Sequence, residues 1–449
     1  MSDIIKLLRY NTGTDKKAFV DFKDYFNAVI FNSTIVAYSG AAVADLVSVH
    51  KNRYIIDPQT HIFQHDTSTI KSKNKETGEI KLKKSVSKYL DELPENLKKA
   101  LLERDHPVSA MDVLSNKNEL AERVFKFQTE YIDSFIEKKE YNKYLDFVGA
   151  GPKPRLLIAP YFMLKKEYSD ETISQWCGIN NELLDIFAAM NGNTYDIAAQ
   201  LVLDKKVLLK TDLCDLIMKT YADSNCTYIF IWIDDFNSFF ANEKERIAFH
   251  NMLCTFRKID KKPIMAYGGY ESILLCHNEI KNRLYGVAQS VGYGETREIV
   301  PVGGGLPVNK YYFPPLHQRL KFSDAAVILQ KKGYFSEDKN IQQRTEDYYN
   351  NICDCKECRQ VINNDINNFR RYDESTPFTL TKSGVKRHRP TTDAMLAAAK
   401  HFLWCKINEW KLLNKEPLLE TINKLLNDAE TYDPAMKATL EAWSELYAK

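Results

Sequence analysis

The chain has 449 residues, 44% hydrophobic and 27% charged, with a formal net charge of +2. That is an ordinary globular composition. A charge so near zero excludes nucleic-acid binding through bulk charge, so any such surface has to be a local patch.

No apolar run is long enough to span a bilayer, and the first six residues carry no secretory-signal pattern. A cytoplasmic location without membrane contact is expected. The nine cysteines do not make a disulfide framework in a chain this long. Cys177, Cys214, Cys226, Cys254, Cys276 and Cys405 are scattered among apolar neighbours, as reduced core residues are. The other three lie within six residues of one another.

Short apolar runs alternate along the chain with amphipathic helical patterns. The runs are residues 34–38, 54–56, 155–162, 195–202, 228–233, 263–267, 284–291 and 299–302. Helical patterns such as 182–190, 213–221 and 243–257 lie between them. This alternation argues for parallel strands with crossover helices. About eight such strands point to an α/β fold of the TIM (β/α)8 barrel type rather than an open sheet.

Residues 65–151 break the rhythm and read as a polar, helical insertion after the second strand, with no convincing strand. Its first part carries Lys71, Lys73, Lys75, Lys81, Lys83, Lys84 and Lys88 against Glu76 and Glu79. Lys81, Lys83 and Lys84 are candidates to clamp nucleic-acid phosphates; a solvated loop is the other reading. Its second part, 119–144, is one long amphipathic pattern. The segments are therefore 1–64, the start of the barrel; 65–151, the insertion; 152–340, the rest of the barrel; and 341–449, a metal-binding, helical C-terminal subdomain. The last closes with helical patterns over 392–413 and 418–448.

Several acids end apolar runs. Asp57 follows Tyr54-Ile55-Ile56 and precedes Pro58, where it is a strand-end acid or a turn aspartate. Asp234 and Asp235 follow Ile229-Phe230-Ile231-Trp232-Ile233. Alternation sends them to opposite sides, and a helix N-cap pair is the other account. Asp324 is a further candidate, although Ser323 and Gly333 frame it as the first turn of a capped helix. Gly268 and Gly269 after Tyr267, and Gly292 before Glu295, would let a flat ligand approach the backbone. Tyr267 could stack on a base, and His317 could share that mouth or be a core histidine. Gly303-Gly304-Gly305 follow the last apolar run.

Cys353-Asp354-Cys355-Lys356-Glu357-Cys358 is a Cys-x-Cys-x-x-Cys cluster. Thiolates this close can converge on one tetrahedral structural zinc ion (Zn2+). A fourth ligand comes from His401, on an amphipathic helix, or His388, in a basic loop. The helix orients a ligand better. Lys386, Arg387 and Arg389 beside it are candidate phosphate contacts.

Three cysteines at this spacing, then a histidine opening a C-terminal helix behind a barrel, resemble the tRNA-guanine transglycosylase superfamily. The resemblance implies exchange of guanine for a 7-deazaguanine through a covalent aspartyl-sugar intermediate, with a second aspartate as acid/base. The family's Asp-Ser-Gly-Gly-type motif matches Asp57-Pro58-Gln59-Thr60, which keeps the aspartate and lacks both glycines. That departure, and the lack of an evident archaeal-type tRNA-binding domain, are most similar to the DpdA-type DNA-guanine transglycosylases. The resemblance thus implies catalytic roles among Asp57, Asp234, Asp235 and Asp324, and base contacts from Tyr267, Gly268, Gly269, Gly292, Glu295 and His317. It implies DNA as the partner, with tRNA as the alternative, and 7-cyano-7-deazaguanine as the small substrate. Further DNA-modification proteins and a homodimer are compatible with it. A non-catalytic nucleic-acid-binding barrel is the reading from a different class.

Overall fold

The structure is a computed structural model. It describes residues 4–10, 13–50, 53–73, 77–136, 152–292, 295, 297, 299, 308–338, 340–379 and 384–448. Eight parallel strands form one sheet: β1 (Ile5–Tyr10), β2 (Ala28–Asn32), β3 (Tyr54–Asp57), β4 (Leu157–Ile158), β5 (Ile197–Asp204), β6 (Tyr228–Asp234), β7 (Lys262–Met265) and β8 (Gly286–Ser290). β8 pairs back onto β1. β3 and β4 meet through a Tyr54–Pro154 bridge and a 2.7 Å bond from the Arg155 N–H to the Tyr54 carbonyl. The sheet is thus nearly closed as a barrel, with helices around it.

Strand sequences explain the closure. In β6, Ile229, Ile231 and Ile233 pack outward against the helical shell, while Phe230 and Trp232 join the apolar filling inside. A strand buried on both faces reads as a continuous apolar run, which is why 228–233 is legible as a strand. The shell helices are capped in sequence. Asn242 and Glu245 form a reciprocal capping box on Glu243–Lys258, and Ser169 caps Asp170–Met190.

Several expectations are corrected. Residues 34–38 are not a strand but part of the helix Ser33–His50. Val36, Ala37, Val43, Ala44 and Val47 are buried at helical spacing. The first two strands are β1 and β2, so the insertion follows the third strand, not the second. It also contains an antiparallel hairpin, Lys71–Lys73 with Ile80–Leu82, where no strand was expected. The pattern over 119–144 is the helix Lys117–Thr129 and a short Asp133–Ile136 turn; 137–151 lie outside the described residues. Of the run 299–302, Ile299 is a bend, and 300–302 lie outside the described residues, as do Gly303-Gly304-Gly305. The other six runs fall on β3 to β8.

Beyond the barrel come the helices Ile341–Asn351, Lys356–Ile362, Thr392–Leu412, Leu418–Tyr432 and Lys437–Tyr447. The last is pinned to the shell by Arg283, which donates to the Leu446 carbonyl at 2.9 Å. No helix among the described residues is long and apolar enough to cross a membrane.

Candidate functional site

The carboxyl ends of the strands carry the polar groups, the usual place for chemistry in such barrels. Asp57, at the end of β3, is fully buried. Arg9 Nη1 donates to its Oδ2 at 3.0 Å and the Tyr161 hydroxyl to its Oδ1 at 2.7 Å. The Gln59 N–H also reaches Oδ1 at 3.2 Å, from a left-handed backbone with φ of 48°. Arg9 Nε donates to the Ala266 carbonyl at 2.8 Å, and the guanidinium lies 4.4 Å from the Tyr267 ring centre.

A belt of rings surrounds this pair. His61 stacks on Tyr161 at 5.2 Å and meets Trp232 edge-on at 5.4 Å; Trp232 contacts Tyr267 at 4.9 Å. Burial, helped by the charges of Arg297, Lys165 and Arg9, pushes the His61 imidazole down to about 3, so it is neutral at physiological pH. Burial and Asp57 hold the Tyr161 phenol protonated. Three buried polar atoms here have no hydrogen-bond partner among the described residues: Arg9 Nη2 and both ring nitrogens of His61.

Asp234, at the end of β6, accepts from the Ile299 N–H at 2.7 Å. Arg297 donates to the Tyr267 hydroxyl at 2.7 Å, and its carbonyl accepts from Trp232 Nε1 at 3.0 Å. Residues 297 and 299 thus lie over the β6 and β7 ends. Asp235 departs from the strand with φ of 52° and pairs with Lys205 at 2.9 Å. Alternation therefore delivers Asp234 to the mouth and Asp235 to the surface. Asp324 is exposed in the first turn of the helix Phe322–Lys331, as the helical alternative had it, but Ser323 does not cap that helix, which opens after Lys321 without a side-chain cap bond.

After β7, Gly268 packs so tightly that a Cβ would lie 2.5 Å from Val287 Cγ1. A Cβ on Gly269 would meet the Glu295 carboxyl carbon at 3.3 Å, so glycine admits Glu295 here. Gly292 sits in an exposed turn. Glu295 pairs at 2.6 Å with Lys406, a fully buried lysine that also pairs with Glu409 at 3.1 Å. His317 bonds Glu409 at 2.6 Å and stacks on Tyr270 at 3.6 Å rather than on the rings around Asp57. It lines an open cavity of about 680 Å³ with Trp404 and Asp428.

Cys353, Cys355, Cys358 and His401 bring one donor atom each to within 4.8 Å of one another and could hold a metal ion. The His401 Nδ1 to sulfur distances are 3.9, 3.4 and 3.3 Å in chain order. A tetrahedral ion about 2.3 Å from sulfur and about 2.0 Å from nitrogen sets such atoms about 3.5 Å apart, so the set is compatible with zinc. His401 Nε2 lies 2.7 Å from the Tyr312 carbonyl, the outer bond that leaves Nδ1 as the ligand atom. Burial opposes ionisation of Cys358. Hydrogen bonds with Cys353 and Cys355, and the His401 charge, nonetheless hold its thiol far below the ordinary value. The Tyr348 and Tyr372 hydroxyls lie 3.3 and 3.4 Å from the same sulfur. His388, the other candidate, is exposed on the strand Lys386–Pro390.

Lys81, Lys83 and Lys84 lie at the hairpin of the insertion. Lys81 pairs with Glu79 at 2.9 Å and Lys83 donates to the Thr69 carbonyl at 2.7 Å. Lys81 and Lys84 line a shallow groove with Lys71 and Lys88. Lys386, Arg387 and Arg389 are exposed.

Arg9, His61, Tyr161 and Cys405 escaped the sequence reading. Arg9 interrupts an apolar run and is concealed by it. Cys405 stands one helical turn after His401 and 3.7 Å from its Nδ1; that i, i+4 spacing was the available signal.

No protein-family model matches the chain, and no characterised protein sequence matches it. Among solved structures, it is similar to a GH30 endoxylanase from Clostridium papyrosolvens C71, at 9% identity and a TM-score of 0.30. The match covers 66% of this chain and 66% of that one, so the chain spans just under two thirds of that enzyme's length.

Proposed function

We propose that the chain is a DNA-guanine transglycosylase that exchanges guanine in DNA for 7-cyano-7-deazaguanine, with one structural zinc ion held by Cys353, Cys355, Cys358 and His401. The observation that carries this reading is the unsatisfied polar edge beside Asp57. A buried polar group without a partner costs about 1–3 kcal/mol and calls for an explanation. Arg9 Nη2 and the two His61 nitrogens have none among the described residues, and Tyr161, Trp232 and Tyr267 supply ring faces around them. A planar base with a hydrogen-bonding edge meets both needs. The base has to leave its stack to reach a barrel mouth.

In this reading the Asp234 carboxylate attacks the sugar C1′. The glycosidic bond breaks, its electron pair goes to N9 of guanine, and an aspartyl-sugar ester forms with inversion at C1′, which the second displacement reverses. The incoming base then attacks C1′ and releases the carboxylate. Asp57, protonated on entry of the substrate, gives its proton to the departing guanine and takes the N9 proton of the incoming base, so protons balance over the exchange. Arg9 and Tyr161 orient the Asp57 carboxyl. Substrate entry requires the Arg297 and Ile299 contacts over the mouth to give way.

The backbone supports the motif match. Gln59, where the family motif has its first glycine, adopts the left-handed conformation that glycine favours. Three thiolates and a histidine leave no open coordination position, so zinc has a structural role and not a catalytic one. The full burial of Asp57 favours one other reading, a non-catalytic barrel that binds nucleic acid. Nucleoside mass spectrometry of DNA and tRNA from cells expressing the chain with its neighbouring genes separates these. The deazaguanine nucleoside in DNA is expected; its appearance in tRNA alone refutes DNA as the substrate, and in neither selects the non-catalytic barrel.

A further inference from the structure

The strands Ser375–Thr379 and Lys386–Pro390 pair antiparallel, and no third strand joins them among the described residues. The register sets Thr376 opposite Arg389, Pro377 opposite His388, Phe378 opposite Arg387 and Thr379 opposite Lys386. All ten residues are exposed except the half-buried Phe378 and Pro390. The two strands carry Lys386, Arg387 and Arg389 and no carboxylate. None of the three forms an ion pair with a carboxylate among the described residues. Arg370 and Arg371, both exposed, stand at the foot of the ribbon, with Asp373 and Glu374 beside them.

Both legs of this ribbon are rooted on the cysteine–histidine cluster. Tyr372, just before the first strand, donates to Cys358 Sγ at 3.4 Å. Thr391, just after the second, caps the helix Thr392–Leu412 that carries His401. The Thr391 N–H also bonds the Glu374 carbonyl at 2.8 Å and ties the legs together. A two-stranded ribbon is marginal alone in water. Here a fixed base holds an arm whose faces nothing in the described chain covers.

We propose that this ribbon enters the major groove of B-form duplex DNA. The inference rests on the nucleic-acid reading above and specifies the form of the partner. The B-form major groove, about 12 Å wide, admits a two-stranded ribbon. The A-form major groove of duplex RNA is deep and too narrow for side-chain reading. Alternation places Arg387 and Arg389 on one face and Lys386 and His388 on the other. Arginine is the side chain that bonds guanine O6 and N7 in a bidentate fork, and guanine is the base to be exchanged. The ribbon therefore selects duplex DNA over duplex RNA and faces guanine edges.

The test uses the full chain, a guanine-containing DNA duplex of about 20 base pairs, or two helical turns, and the RNA duplex of the same sequence. Fluorescence anisotropy gives affinity at several salt concentrations for wild type and for the triple variant Lys386→Ala, Arg387→Ala, Arg389→Ala. The expected result is at least about tenfold weaker binding of duplex DNA by the variant, with a salt slope reduced by up to about 3. Wild type should bind the RNA duplex at least about tenfold more weakly, and should protect guanine N7 in the DNA from dimethyl sulfate. Unchanged DNA affinity in the variant, equal affinity for RNA, or unprotected N7 overturns the proposal. Guanine exchange is assayed on the same wild-type preparation. DNA binding without exchange leaves the ribbon standing and counts against the catalytic reading alone.

Discussion

Lys406 Nζ lies 2.6 Å from Glu295 Oε1, and the lysine is fully buried. This pair joins the helix that presents His401 to the segment following β8, where Glu295 abuts Gly269. The same ammonium donates to the Tyr312 hydroxyl at 2.8 Å, and the Tyr312 carbonyl faces His401. One buried cation thus ties the cysteine–histidine cluster to the barrel mouth.

Removing one member of such a pair leaves a buried charge uncompensated, which costs about 3–5 kcal/mol. Lys406→Met should therefore lower unfolding stability by that order in urea titration. Combined with Glu295→Gln it should lose less than the two single changes summed. Strict additivity would contradict the coupling.

At the mouth, Asp57→Asn should lower base exchange by about 10²–10⁴-fold, the range for a general acid/base. It also leaves Arg9 buried without its counter-charge. Arg9→Met paired with Asp57→Asn should recover stability but not exchange. Recovery of exchange in the double variant, measured by turnover on DNA, would remove Asp57 from the chemistry.

Metal analysis of protein purified without chelator should give one zinc per chain. Cys358→Ser should abolish it and lower the melting temperature, because metal binding contributes directly to folding. The same variant should weaken binding to duplex DNA, since Tyr372 and the His401 helix carry the ribbon. A zinc-free wild-type protein would contradict the site.

Burial pushes His61 and His65 each down to about 3. Their folded values are depressed below the unfolded value of about 6.5, so the unfolded chain binds more protons below that pH. Their contribution is present above pH ~6.5 and is lost as pH falls towards 3, at about 1.4 kcal/mol per unit per fully buried histidine. Urea midpoints should drop from pH 7 to pH 5, and His61→Phe should flatten the drop.

Six of the strands were legible because their runs are mostly apolar. β2 was missed although Ala28-Val29-Ile30-Phe31 is apolar and buried, since it runs straight into the helix Ser33–His50, whose first residues were read as the strand instead. β1 was missed because Lys6 and Arg9 interrupt it, and Arg9 sits inside for the sake of Asp57. Residues 34–38 misled because a five-residue apolar run has no period of its own; the helical spacing shows only when Val43, Ala44 and Val47 are included. The cysteine spacing was legible in full and His401 by helix geometry. The packing of Lys406 on Glu295 was not, since residues 111 positions apart in sequence share no local signal.

The most direct test supplies DNA carrying radiolabelled guanine, the wild-type chain with its partner proteins, and unlabelled 7-cyano-7-deazaguanine. The proposed function predicts release of labelled guanine from DNA with the strands left intact, and its loss in Asp57→Asn and Asp234→Asn. Release from tRNA but not from DNA, or no release from either, would contradict it.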